Sequence, residues 1–245
     1  MQNNPLVSVI MPVHNTDPYI NACIKSVIGQ SYSNWELIIV DDFSKDKSFS
    51  IAKSWTEKDA RIHLHRNTNK GIIPALQMAF ENSKGSYISR MDADDVMPAD
   101  KLTRFVNEID GSVKKVITGQ VRYFSDEKVS EGYVRYENWL NELVVDQTQW
   151  LSVYRECVIA SPNWLVPRSC FENCFSFSDL VYPEDYDMVF KWYENGFTIA
   201  NVHEVTHLWR EHPKRTSRMV EDYQQKAFFI LKTNIPVSCK FYRFT

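Results

Sequence analysis

A chain of 245 residues with 28 basic and 31 acidic side chains carries a formal charge of −3, which excludes a general attraction for nucleic acid and confines any anion site to a local cluster. Hydrophobic residues make up 44% and aromatic ones 13%, enough for one α/β core, so a single globular unit, in one or two lobes, is expected. The five cysteines, at 23, 157, 170, 174 and 239, are odd in number and scattered, which argues for reduced thiols rather than a disulfide framework. Only Cys170 and Cys174 are close, and no second Cys/His pair at zinc-finger spacing accompanies them.

Residues 6–13, LVSVIMPV, are mostly apolar and β-branched and read as a buried strand, with His14 and Asn15 at its carboxyl end. Asp17 and Pro18 supply a helix N-cap and a first-turn proline, and apolar pairs such as Tyr19/Cys23 and Ile20/Ile24 keep helical spacing. A second buried strand, 35–40, ends in Asp41 and Asp42, and Ser44 is placed to cap a helix over 45–58. Residues 61–66 read as a third strand, after which Asn69, Lys70 and Gly71 turn into a helix carrying Ile73, Leu76 and Phe80. A fourth strand, 87–91, runs into Asp92, Ala93, Asp94 and Asp95, and Pro98 opens a helix with Leu102, Phe105, Val106 and Ile109 on one face.

Four strand–helix repeats in about 110 residues predict a mostly parallel central sheet flanked by helices, with ligands bound beyond the carboxyl ends of its strands. The second half is less regular. Residues 116–124 read as a strand, 125–146 as polar and aromatic without clear period, 147–159 as a helix and 163–166 as a short strand. Pro183 and Glu184 introduce a helix over 185–194, and two strand-like runs follow, 197–202 and 205–209. A last amphipathic helix is expected near 217–231, ahead of an aromatic, basic tail suited to peripheral contact with an anionic membrane. The start, MQNNPLVSVI, lacks the basic and long apolar stretches of a secretory leader. No apolar run reaches the ~18 residues of a membrane span. A cytoplasmic protein is therefore expected, or one at the inner face of a membrane.

The chemistry concentrates in three clusters. Asp92, Asp94 and Asp95 repel one another by about 1 kcal/mol per exposed pair at ~4 Å, so positive charge should sit among them. Alternate residues of an extended chain face the same way, which lets Asp92 and Asp94 share a hard cation such as Mg²⁺ or Mn²⁺, although Asp95 could equally cap the next helix. Glu184, Asp185 and Asp187 open a helix, where carboxylates are favoured anyway, and Asp185 is the candidate general base. Arg210, His212, Lys214, Arg215 and Arg218 gather positive charge in an acidic chain, either as a solvated face or to neutralise a leaving group, with His212 a candidate metal ligand. His63, His65, His203 and His207 have strand-like settings and read as packing or surface residues, and Trp139, Trp150 and Trp164 read as core or as sugar-stacking rings.

Five stretches in order, SVIMPVHN, ELIIVDDFS, GSYISRMDADD, PEDYD and WREHPKRTSR, make the chain resemble the family 2 glycosyltransferases of the GT-A fold over nearly its whole length. The resemblance implies a Rossmann-like α/β domain over 1–245, with a nucleotide-sugar-binding half (1–124) and an acceptor and catalytic-base half (125–245). It implies inverting, metal-dependent transfer of a sugar from a nucleoside diphosphate donor, by family frequency a UDP-hexose or UDP-N-acetylhexosamine. The acceptor would be a hydroxyl of a saccharide or lipid-linked molecule in surface polysaccharide or glycolipid assembly. Pro12, Val13, His14, Asn15 and Asp41 would contact the nucleoside, and Arg66, Lys70, Asp92, Ala93 and Arg210 would complete the donor site. Asp92, Asp94 and His212 would surround Mg²⁺ or Mn²⁺, and Asp185 would take the acceptor proton. Two rivals remain. A nucleotidyltransferase shares the layout but needs a glycine-rich loop after the first strand, where MPVHNTDPYI has no glycine, and a silent sugar-binding subunit would not need both charged clusters.

Overall fold

The computed structural model describes residues 4–181 and 183–215. The expected helix at 217–231, the basic tail, Arg218 and Cys239 lie outside those residues. Four parallel strands form first: β1 (Val7–Val13), β2 (Trp35–Asp41), β3 (Ile62–Arg66) and β4 (Tyr87–Arg90). They alternate with α1 (Ile20–Ile28), α2 (Ser48–Thr56) and α3 (Ile72–Glu81), and α4 (Lys101–Asn107) follows β4. The rest supplies β5 (Lys115–Phe124), α5 (Glu131–Asp146), α6 (Gln149–Ser152), β6 (Trp164–Pro167), α7 (Ser169–Asn173), α8 (Glu184–Glu194) and β7 (Thr198–Arg210). Together they make one seven-stranded sheet of order β3-β2-β1-β4-β6-β5-β7, in which β6 runs against both its neighbours and the other ladders are parallel.

The central strands β1 and β2 are almost wholly buried because both sheet faces are covered there, whereas the edge strands β3 and β7 carry exposed polar residues. Period-two alternation sends Val9, Met11, Leu37 and Ile39 into one core with Ile24, Leu102 and Phe105. Ile10, Ile38 and Val40 enter the other, with Leu76, Trp164, Phe177 and Trp192. Trp164 is fully buried and packs edge-on against Trp192, so it is a core ring and not a sugar platform. Trp150 donates its indole N–H to the Phe197 carbonyl and packs on the same core. Among the described residues no helix is long and apolar enough to cross a membrane.

Several boundaries differ from the sequence reading. Asp17 does not cap α1: the Thr16 carbonyl accepts from Tyr19 and Ile20, and the helix begins after that turn. Ser44 does not cap α2, because its hydroxyl accepts the Asn15 N–H instead. Residues 125–146 hold a 16-residue helix, α5, which buries Leu140, Leu143 and Val144. The helix expected at 147–159 shrinks to the single turn of α6, since Gln147 adopts a left-handed φ of 57° after α5. The two runs after Gly196 are one strand, β7, in which Val202 pairs with Gly119, Val205 with Gln120 and His207 with Val121. The polar pair His203 and Glu204, together with Thr206, is therefore bulged out of register, which made one strand look like two.

Candidate active site

The carboxyl ends of β1, β2 and β3 lie side by side, with Val13 opposite Asp41 and Asp41 opposite Arg66. Asp42 is spent on the scaffold: its carboxylate accepts the Gly71 N–H and an Asn67 amide N–H. Gly71, at φ 125°, is the residue type that this turn into α3 permits. Asp41 has no such partner. It is only 2% exposed, and its Oδ1 is buried without a hydrogen bond, a costly arrangement for a carboxylate that a bound donor group would relieve. His14 donates Nδ1–H to the Asp42 carbonyl and accepts from Asn15 at Nε2, which fixes the ring at the rim with Asn15 and leaves both residues exposed. Pro12 and Val13 belong to β1, Arg66 is exposed with its guanidinium over the Phe49 ring, and Lys70 is exposed in the turn before Gly71.

The aspartate turn meets the end of β7, and the cations anticipated from charge repulsion are there. Arg90 Nε donates to Asp92 Oδ1 at 2.7 Å. Asp95 does not cap α4. It accepts the Arg210 N–H on one oxygen and faces His207 Nε2 at 2.9 Å with the other, both side chains being buried. The ammonium of Lys101 is fully buried, donating to the Pro162 carbonyl, and burial pulls it down to about 7. Asp94 stands apart: its carboxylate meets His212 Nε2 at 2.9 Å, while the Arg210 guanidinium donates only to its backbone carbonyl. Ala93 is buried beneath the turn, and Tyr19 packs on the His212 ring with centroids 4.5 Å apart.

A second carboxylate group reaches this turn through one side chain. Arg90, 3% exposed, bridges Asp92 and, at 3.1 Å, Glu184 at the start of α8. Asp185 follows Glu184 at the helix N-terminus, where one of its oxygens accepts the Tyr186 N–H. Burial, and then the neighbouring Glu184, raise its carboxyl from 3.8 to about 7, although Arg90 pulls the other way. The Asp92 carboxyl is likewise raised, chiefly by burial, with Arg90 opposing.

The donor set fits a hard cation in part. Adjacent ligand atoms of an octahedral Mg²⁺ at ~2.1 Å stand about 3.0 Å apart, close to the separation of Asp94 Oδ2 and His212 Nε2. No three His, Cys, Asp or Glu side chains converge on one point among the described residues, because Arg90 holds Asp92 aside. A metal held by two side chains and completed by substrate phosphates is the usual Mg²⁺ pattern.

Sequence reasoning singled out Glu184 in the second acidic cluster but missed Arg90 and His207 beside the aspartate turn. An arginine inside an apolar strand, two residues before an aspartate, was the available signal for Arg90. His207 gave none, because its inward orientation depends on the bulge in β7.

Comparison with known proteins gives a consistent result. The sequence profile described as "Glycosyl transferase family 2" matches residues 8–175. An uncharacterized glycosyltransferase of Haemophilus influenzae is 43% identical over 106 residues, covering 43% of this chain and 42% of that protein. The uncharacterized glycosyltransferase EpsJ of Bacillus subtilis is 26% identical over 253 residues, covering 96% and 73%. Among solved structures, S. aureus TarS 1-349 in complex with UDP-GlcNAc superposes with a TM-score of 0.67 at 16% identity, over 93% of this chain and 66% of that one. The mannosyltransferase PcManGT of Pyrobaculum calidifontis, in complex with GDP-Man and Mn²⁺, gives 0.66 at 23% identity over 86% and 58%. The chain thus spans less than two thirds of both structures and under half of the Haemophilus relative.

Proposed function

Because the chain belongs to glycosyl transferase family 2 and has the GT-A fold, we propose that it transfers a sugar from a nucleoside diphosphate donor to a hydroxyl of a saccharide or lipid-linked acceptor, with inversion. The observation that carries this reading is the Arg90 bridge, which joins the aspartate turn to the helix bearing Asp185. That bridge ties a carboxylate group suited to a cation to one suited to proton removal.

Asp41, with Pro12 to Asn15, takes the nucleoside, and Arg66 and Lys70 lie on the same rim. Asp94 and His212, with Asp92 beside them, hold Mg²⁺ or Mn²⁺, which supplies Lewis-acid stabilisation of the departing diphosphate. Arg210 places its guanidinium next to Asp94 and adds positive charge where the leaving group develops its negative charge. Asp185 accepts the proton of the acceptor hydroxyl as that oxygen attacks the anomeric carbon from the side opposite the diphosphate. The bond to the diphosphate breaks as the new glycosidic bond forms, so one displacement inverts the configuration. UDP-hexoses and UDP-N-acetylhexosamines are the first donors to try, since one structural neighbour binds UDP-GlcNAc. Assembly of surface polysaccharide or glycolipid is the proposed setting, in line with the name of one relative, the putative teichuronic acid biosynthesis glycosyltransferase TuaG of Bacillus subtilis.

The test offers α-linked nucleotide sugars with Mn²⁺ and a saccharide acceptor panel, follows nucleoside diphosphate release, and reads the product anomer by NMR. A β-linked product is expected. An α-linked product would overturn the single-displacement reading, and no release from any donor would overturn transferase activity.

A further inference from the structure

Phe43 is an aromatic residue at the nucleoside rim that the fold does not use. Its side chain is 48% exposed, and it forms no ring or cation contact among the described residues. Its φ is 55°, a left-handed conformation in which Cβ crowds the backbone and which glycine or asparagine adopts at lower cost. The surrounding loop gives it no room to relax. Asp42 N–H donates to the Val13 carbonyl, Asn15 N–H to Ser44 Oγ, and Lys45 N–H to Asn15 Oδ1, so both flanks are pinned to the end of β1. A bulky apolar ring, held exposed on strained backbone by fixed neighbours, has the character of a ligand contact rather than of packing. Two residues earlier stands Asp41, the buried carboxylate whose Oδ1 has no hydrogen-bond partner among the described residues.

A hydrogen-bond acceptor and an aromatic face two residues apart complement a nucleobase, which offers an N–H edge and a π-face. A lipid-phosphate sugar has neither. We propose that Phe43 is a further donor-binding residue, stacking on the face of the nucleobase beside Asp41. This rests on the nucleotide-sugar reading given above. It goes further in giving the base an aromatic partner, Phe43, that the reading above does not use.

The test is calorimetric titration of UDP, GDP, CDP, ADP and inorganic pyrophosphate, each with Mn²⁺, into the full chain and into Phe43→Gly and Phe43→Trp. Glycine removes the backbone strain, so Phe43→Gly should melt at or above the wild-type temperature. It should bind the preferred nucleoside diphosphate about tenfold more weakly, as loss of one base–aromatic stack predicts, with pyrophosphate affinity unchanged. Phe43→Trp should retain nucleotide affinity. Equal nucleotide affinity in folded Phe43→Gly would overturn the stacking role, and so would a parallel loss of pyrophosphate binding. A wild-type chain that binds no nucleoside diphosphate better than pyrophosphate would instead overturn the nucleotide-sugar reading, and the stacking role with it.

Discussion

Asp185 carries two opposing demands that can be separated by pH. Its carboxyl is raised to about 7 by burial and by Glu184, which makes the ionised form a stronger base than an ordinary carboxylate at neutral pH. Transfer should therefore rise with pH up to about 7 and level off above it. Asp185→Asn should lower kcat by about 10²–10⁴ with donor KM nearly unchanged, as removal of a general base does. A variant retaining a tenth of the wild-type rate would exclude the role. Stability should move in the opposite direction. An acid held above its unfolded value of 3.8 contributes stability that is fully present below about pH 4 and is lost as pH rises through about 7. Urea melts of Asp185→Asn should then show a gain on the order of 1–2 kcal/mol at pH 8 and little or none at pH 4. Arg90 is the converse case, since its removal strands two carboxylates. Arg90→Met should cost about 3–5 kcal/mol in the same melts, and a loss below 1 kcal/mol would mean that the bridge is not what holds α8 to the aspartate turn. Asp92, Asp94 and Asp185 were legible as candidates because strand ends and helix starts are local features of a sequence. The pairings of Asp95 with His207 and of Arg90 with Glu184 were not, since they join residues 112 and 94 positions apart.

The β5–β7 ladder shows how the register of one element aims the side chains at its end. Its register shifts on either side of Gln120 let three extra residues into β7, and that shift turns His207 inward to Asp95 and brings Arg210 and His212 to Asp94. The shift needs Gly119, because a Cβ there would meet Thr206 Oγ1 at 2.5 Å and the Val202 carbonyl oxygen at 3.1 Å. Thr206 cannot easily yield, being fully buried and donating to Asn163 Oδ1, while Asn163 in turn donates to the Gly119 carbonyl. Gly119→Ala should cost about 1–3 kcal/mol by overpacking and should also weaken metal-dependent nucleotide binding. Equal thermal stability and binding in the variant would show that the bulge is not what aims the end of β7. Strands β1 and β2 could be read from the sequence because both their faces are covered and leave nearly continuous apolar runs. The bulge could not, because three residues out of register erase the period-two signal on which strand recognition depends. Helix α5 was obscured for another reason. Its inward positions combine Tyr136 and Trp139 with Leu140, Leu143 and Val144, so the helical period appears only when aromatic residues are counted as core.

Across the whole molecule, the charged groups proposed to bind the donor come from segments far apart in sequence and lie at the carboxyl ends of the strands. Asp41 ends β2, Asp94 follows β4 and His212 follows β7, so a nucleoside diphosphate with its cation would tie the carboxyl ends of three strands together. A ligand that binds only this arrangement stabilises the folded state by mass action, by about 2.7 kcal/mol at a hundredfold excess over Kd. For a domain of this size that corresponds to a rise in Tm of roughly 5–10 °C. On the proposed site the rise should require both components, because nucleotide alone would leave Asp94 and His212 unbridged and no three His, Cys, Asp or Glu side chains converge to hold Mn²⁺ alone among the described residues. UDP or GDP with Mn²⁺ should therefore shift the melt by more than the sum of the separate shifts, and EDTA should abolish the difference. Asp94→Ala removes a carboxylate whose side chain pairs with His212, so it should abolish the synergy while leaving the unliganded Tm within about 2 °C. If nucleotide shifted the melt equally in EDTA, the donor would be held without a cation, and the positive charge of Arg210, Lys214 and Arg215 would have to balance the diphosphate instead.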